Sequence, residues 1–108
     1  MKRLLISTLL FGFISPSVAD SIATQKSYAA SILGGNLCYL RKGKLTKQSF
    51  ILNVENLMLK KGYDIDYLYD EKVRSAGKLI ANKLGSNCTD KSMLQDQSFM
   101  YEVMETLR

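Results

Sequence analysis

The chain has no histidine and no tryptophan, and only one proline and two cysteines in 108 residues. Without histidine there is no imidazole to serve as a general base near neutral pH, and no imidazole metal ligand. Two thiolates alone fall short of a four-ligand zinc site, so neither a metal nor a cofactor is expected. The cysteines lack the C-x-x-C spacing of a redox pair. The lone proline is Pro16, so nothing after it breaks a helix by removing an N–H donor. The length admits one small domain and excludes a large enzyme scaffold.

What is present begins with an address. Lys2 and Arg3 form a positive start, and Leu4 to Ile14 follow as an apolar run of eleven residues. A bilayer-spanning helix needs roughly 20 apolar residues, so this run is too short to span. Ser15, Pro16 and Ser17 interrupt it, and Ser17-Val18-Ala19 places small residues where a signal peptidase reads. Residues 1–19 are therefore expected to be a cleaved signal peptide, with Asp20 the mature N-terminus and a cut after Ala23 the second choice. The mature domain, 20–108, has no transmembrane span and is expected in the periplasm, the medium or a thylakoid lumen. It keeps 13 basic residues once Lys2 and Arg3 are gone, against 10 acidic ones. A domain of this size buries little surface and gains much from a covalent staple. An oxidising compartment makes Cys38 and Cys88 a disulfide pair, closing a loop worth roughly 4 kcal/mol in the chain-entropy treatment.

Apolar residues recur at helical spacing throughout the mature chain, which predicts an all-α fold: a bundle of about four helices closed by one disulfide. Gly43, Gly62 and Gly85 read as the residues that end helices. The first helix, about Ser21 to Lys42, places Ile22, Ala29, Leu33 and Leu40 on one stripe. Gly34-Gly35 inside it predicts a kink, a break or the close approach of another helix. At 100° per residue, Cys38 stands about 160° from that stripe, which a bend or a chain end wrapping round that side would reconcile. The second helix, Thr46 to Lys61, has Phe50, Ile51, Val54, Leu57 and Met58 in phase, widened by Leu52 and Leu59, and is expected at the centre of the bundle. The third, from Asp66 or Asp70 to Leu84, buries Val73, Ala76, Gly77, Ile80 and Leu84, with a small pair at Ala76-Gly77 suited to close packing. The fourth starts at Asp96 and has Met100, Val103, Met104 and Leu107 in phase.

Several patterns resemble sites. Asp64-Ile65-Asp66 has two carboxylates, but Leu68 and Tyr69 stand where a calcium loop needs an oxygen ligand and a glycine, so turn and cap chemistry is expected. Ser75 to Lys78 matches S-x-x-K without the large scaffold such serine enzymes need. Arg41, Lys42, Lys44, Lys47, Lys60 and Lys61, offset only by Glu55, give residues 41–61 a net charge of +5. They form a candidate surface for anionic lipid, polysaccharide or another acidic partner. Export argues against nucleic acid. Tyr63, Tyr67 and Tyr69 are either an aromatic contact for a partner or the cover of one end of the core. Met93, Met100 and Met104 fit core filling, with an adaptable binding face as the alternative. An uncovered apolar face would favour a homodimer.

The runs Leu37-Cys38-Tyr39-Leu40-Arg41, Gly43-Lys44-Leu45-Thr46 and Leu84-Gly85-Ser86-Asn87-Cys88 resemble small exported helical two-cysteine proteins of cyanobacteria. That resemblance implies an all-helical stapled domain and brings no activity with it. In layout alone (signal peptide, length, helices, one disulfide) the chain is also similar to the periplasmic acid-stress chaperones of the HdeA type, and no residue here takes over their pH-triggered role. The sequence thus points to a non-enzymatic binding module of the bacterial envelope, with an envelope protein, lipid or polysaccharide as partner. A small stress chaperone is the alternative, and a Ser75/Lys78 hydrolase stands a distant third. Alkylation of the native protein without reduction is expected to leave an intact mass that starts at Asp20 and carries no alkyl group. A full-length, doubly alkylated protein would refute both export and the staple.

Overall fold

The computed structural model describes residues 21–90 and 92–108. Among these there are four α-helices, two short 3-10 helices and no strand: α1 Ile22–Arg41, α2 Lys47–Lys61, α3 Glu71–Lys83 and α4 Gln97–Leu107, with 3-10 helices at Ile65–Tyr69 and Ser92–Gln95. The expected signal peptide and the mature terminus at Asp20 lie outside the described residues.

Helix boundaries follow from local chemistry. Ser21, Thr46, Asp70 and Asp96 are the N-caps, each side chain accepting a backbone N–H two or three residues ahead. Gly62 ends α2 at φ 74°, a left-handed conformation that costs glycine little and other residues more. The Asp64 carboxylate accepts from the N–H of Asp66 and so caps the first 3-10 helix, as turn chemistry requires.

The core is organised around α1 and α3, which run parallel. Lys26 meets Asp70 at 3.8 Å near the start of both helices, and Arg41 donates to the Asn82 side chain at 2.6 Å near their ends. Between these points the backbones nearly touch. A Cβ built on Gly34 would lie 2.5 Å from Ile80 Cγ2 and 3.0 Å from the Gly77 carbonyl, and one on Gly77 would lie 3.0 Å from Leu33 Cβ. α2 folds back antiparallel on α1, where Tyr28 and Tyr63 meet edge to face with centroids 5.5 Å apart. α4 returns antiparallel along α3, with Lys83 over the Phe99 ring at one end and Lys72 donating to the Arg108 carbonyl at the other.

Cys38, in the last turn of α1, and Cys88, in the loop before α4, form the expected disulfide, with Cα atoms 5.7 Å apart. The buried stripe of α3 is the expected one, Val73, Ala76, Gly77, Ile80 and Leu84. In α4, Phe99, Val103 and Leu107 are buried, whereas Met104 is exposed.

Two expectations are corrected. α1 is continuous through Gly34-Gly35, and of the alternatives for that pair the close approach of α3 is the one realised. Its buried face is Ala29, Ala30, Leu33, Gly34 and Cys38, while Ile22 is exposed. Cys38 therefore needs no bend to reach the interior: it continues the i, i+4 row Ala30, Gly34, Cys38, over which the 84–90 loop passes. The second correction is α2, which is lateral rather than central. It packs on α1 and the first 3-10 helix, burying only Val54 and Met58 and leaving Ile51, Leu52 and Leu59 exposed.

Adjacent glycines should respond with opposite sign. Gly34→Ala forces Ile80 or the helix pair apart and should destabilise the protein by about 1–3 kcal/mol, as overpacking does. Gly35→Ala meets nothing within 4 Å and should stabilise by up to about 1 kcal/mol through helix propensity. Urea denaturation of the two variants checks this, and equal effects would refute the close crossing.

Candidate functional site

Because α1 and α3 lie so close, each outer helix seats on one of them and leaves a cleft beside the other. The larger cleft, about 370 Å³, lies between α1 and α4 over α3. Its floor is Ile80 and Leu84, and its α4 wall is Phe99, Met100, Val103 and Met104. Met93 and Leu94 of the second 3-10 helix, with Cys88, close one end. On the α1 wall stand Ser27, Ser31 and Gly35, all small, so this wall is shallow. Ser31 donates to the Ser27 carbonyl at 3.0 Å, and the Ser27 hydroxyl points at Met104 Sδ, 4.0 Å away. The lip is itself apolar: Leu94 is 57% and Met104 46% exposed. Met93 and Met100 are half-buried against the core, so the methionines fill space and line a binding surface at once.

The loop carrying this end wall is held firmly. Cys88 sits at φ 64°, a conformation non-glycine residues rarely adopt, and the disulfide anchors it to α1. The Asp90 carboxylate accepts from the backbone N–H of Ser92 at 2.9 Å, and that hydrogen bond, with a further one from the Ser92 side chain, holds its pKa below the ordinary value.

The second cleft, about 240 Å³, lies between α2 and α3 over α1. Leu33 and Leu37 form its floor and Phe50 and Val54 its α2 wall. Leu68 and Tyr69 of the first 3-10 helix close its end, and Arg74 and Lys78 stand on its α3 wall. Tyr69 donates its hydroxyl to Glu55 at 2.6 Å, tying that 3-10 helix to α2. This hydrogen bond, then desolvation, then the charges of Glu55 and Asp66 raise the phenol above its ordinary value of 10.0.

The residues singled out in sequence are distributed rather than gathered. Arg41, Lys42, Lys44 and Lys47 are exposed around the α1–α2 turn, while Lys60 and Lys61 lie at the far end of α2, about 20 Å away by helical rise. Lys61 stands 5.3 Å over the Tyr28 ring. Of the tyrosines, Tyr63 is buried, Tyr67 half-buried with Lys26 6.0 Å from its ring, and Tyr69 exposed. Ser75 and Lys78 are both exposed on α3. Among the described residues no three of His, Cys, Asp and Glu are grouped closely enough to hold a metal ion, and no helix is long and apolar enough to cross a membrane. Sequence reasoning missed Leu94, Arg74 and the cleft roles of Gly35 and Lys78. The small row Ser27, Ser31, Gly35 at i, i+4 was the readable signal for a shallow helix face.

Comparison with known protein families, curated proteins and solved structures finds no match to this chain. Function is therefore read from the clefts themselves.

Removing the acceptor of Tyr69 has a directional consequence. Glu55→Gln should lower the Tyr69 pKa toward that of a free phenol, because the hydrogen bond and the charge both favour the protonated form. The difference in alkaline absorbance titrations with and without Tyr69→Phe isolates this group, and an unchanged titration would contradict the Tyr69–Glu55 contact.

Proposed function

We propose that this chain is an exported, non-enzymatic binding module of the bacterial envelope that holds an apolar segment of a partner polypeptide in the α1–α4 cleft. The observation that carries this reading is the lip. Leu94 and Met104 line the cleft and yet stand about half exposed, so an occupant touching them extends beyond the cleft, as a polypeptide segment does. Unbranched methionines on the α4 wall and at the closed end adapt to different apolar side chains, the property that Met-lined surfaces contribute to helix-in-groove recognition. The volume is within the roughly 300–1,000 Å³ of ligand sites. A disulfide between the only two cysteines agrees with an oxidising compartment, which supports export.

Gly35 gives the test. It lines the cleft and a Cβ there meets nothing within 4 Å, so Gly35→Leu fills the cleft from its shallow wall without a clash in the core. The expected result is an unchanged or raised Tm together with loss of saturable binding to a dye-labelled amphipathic Leu/Gln helical peptide, followed by fluorescence anisotropy. No binding by the unaltered protein, or equal binding by Gly35→Leu, would overturn the proposal.

A further inference from the structure

The α2–α3 cleft has a different chemistry. Its floor, its α2 wall and Leu68 at its closed end are apolar, whereas its α3 wall presents Arg74 and Lys78. These two are four residues apart, one helical turn, so their side chains rise from the same face at neighbouring positions. Neither makes an ion pair or a hydrogen bond among the described residues. Glu71, one turn before Arg74, forms no ion pair with it, and the Asp70 carboxylate is occupied with the N–H groups of Lys72 and Val73 and with Lys26. Among the described residues, none that lines the cleft is acidic. The nearest fixed negative charge on the α2 side is Glu55, which is already bonded to the Tyr69 hydroxyl. Like charges at i, i+4 disfavour the helix that carries them, and an anion seated between them removes that penalty.

We propose that this cleft binds a short anionic amphiphile, a carboxylate on an apolar chain. Arg74 and Lys78 hold the carboxylate, while Phe50, Val54, Leu33 and Leu37 enclose the chain. Charge sets the class: an apolar slot with two uncompensated cations on one wall complements a molecule with one apolar end and one anionic end. Size sets the length. An apolar cavity of about 150 Å³ accepts benzene, so 240 Å³ takes a body about half as large again, a medium-length acyl chain rather than a whole phospholipid. This site is separate from the α1–α4 cleft and stands without the function proposed for that cleft.

Sodium octanoate, neutral octanol and sodium acetate, each titrated into the purified oxidised protein and followed by NMR, separate the contributions of tail and charge. Octanoate is expected to give saturable shifts at Leu33, Leu37, Val54 and Leu68, octanol a Kd higher by about tenfold or more, and acetate no saturation. Arg74→Gln and Lys78→Gln, both at exposed positions, should each raise the octanoate Kd about tenfold and leave octanol unchanged, as fits loss of a charge-assisted contact. Lys44→Gln removes the same charge from the α1–α2 turn and should leave octanoate binding as it was. Gly35→Leu should also leave it unchanged, which distinguishes failure here from failure of the peptide site. Equal affinity for octanol and octanoate, insensitivity to both α3 variants, or octanoate shifts centred on Met93, Met100 and Met104 would overturn the proposal.

Discussion

The near contact of α1 and α3 at Gly34 and Gly77 is the constraint on which the rest of the molecule depends. Where a Cβ would fall 2.5 Å from Ile80, the two backbones have approached as far as helices can. Two parallel helices this close form a narrow spine with a shoulder on each side. α2 takes the α1 shoulder and α4 the α3 shoulder, and neither outer helix closes fully onto the other spine helix. Each therefore leaves a cleft, one floored by Leu33 and Leu37 and the other by Ile80 and Leu84. Both clefts thus derive from one packing decision, made by two residues with no side chain.

A spine of this kind is thin for a small domain, and the disulfide compensates in a particular place. Cross-linking Cys38 to Cys88 restricts the unfolded chain, a stabilisation of about 2–4 kcal/mol in typical cases. It also fixes the loop that follows α3, whose Cys88 holds a left-handed backbone conformation and whose Asp90 is pinned to Ser92. That loop carries Met93 and Leu94 to the end of the α1–α4 cleft. The staple is thus part of the cleft wall, and what stabilises the fold also preorganises the surface proposed to bind.

Legibility in the sequence followed the side chains. The helix starts at Thr46 and Asp96, the ends at Gly43, Gly62 and Gly85, the disulfide and the α3 stripe were readable because each depends on local chemistry or on large apolar residues at fixed spacing, while the start of α3 stayed open between Asp66 and Asp70 and falls at Asp70. The face of α1 was read only in part: Ala29 and Leu33 are buried as expected, but the contact row Ala30, Gly34, Cys38 has little apolar mass, and Ile22 and Leu40 drew the stripe away from it. Ile22 lies one turn before Lys26, which is level with the start of α3, so α3 does not extend back to cover it. α2 was misplaced for the opposite reason. It has more apolar residues than the bundle has neighbours to cover, and Leu52 and Leu59, 52% and 60% exposed, face away from α1. Of the clefts only the small row Ser27, Ser31, Gly35 was legible, since a cleft records which helices fail to touch, and periodicity reports only which faces want burial.

Charge shows the same difference between chain order and space. The most basic run in the sequence, residues 41–61, divides into two groups about 20 Å apart at opposite ends of α2, more than twice the roughly 8 Å screening length at physiological ionic strength. Screening weakens the coupling between the two groups, and the cations around the α1–α2 turn are exposed, Arg41 with its guanidinium on the Asn82 side chain. Arg74 and Lys78 form no conspicuous run, yet α3 delivers both to the edge of an apolar cleft, where part of the surrounding water is replaced by side chains of low polarity. A charge there interacts more strongly with an incoming anion than one held in bulk solvent, because the effective dielectric is lower. The proposed anion site therefore rests on two cations that share one helical turn beside apolar side chains, rather than on the six that are divided between the α1–α2 turn and the far end of α2.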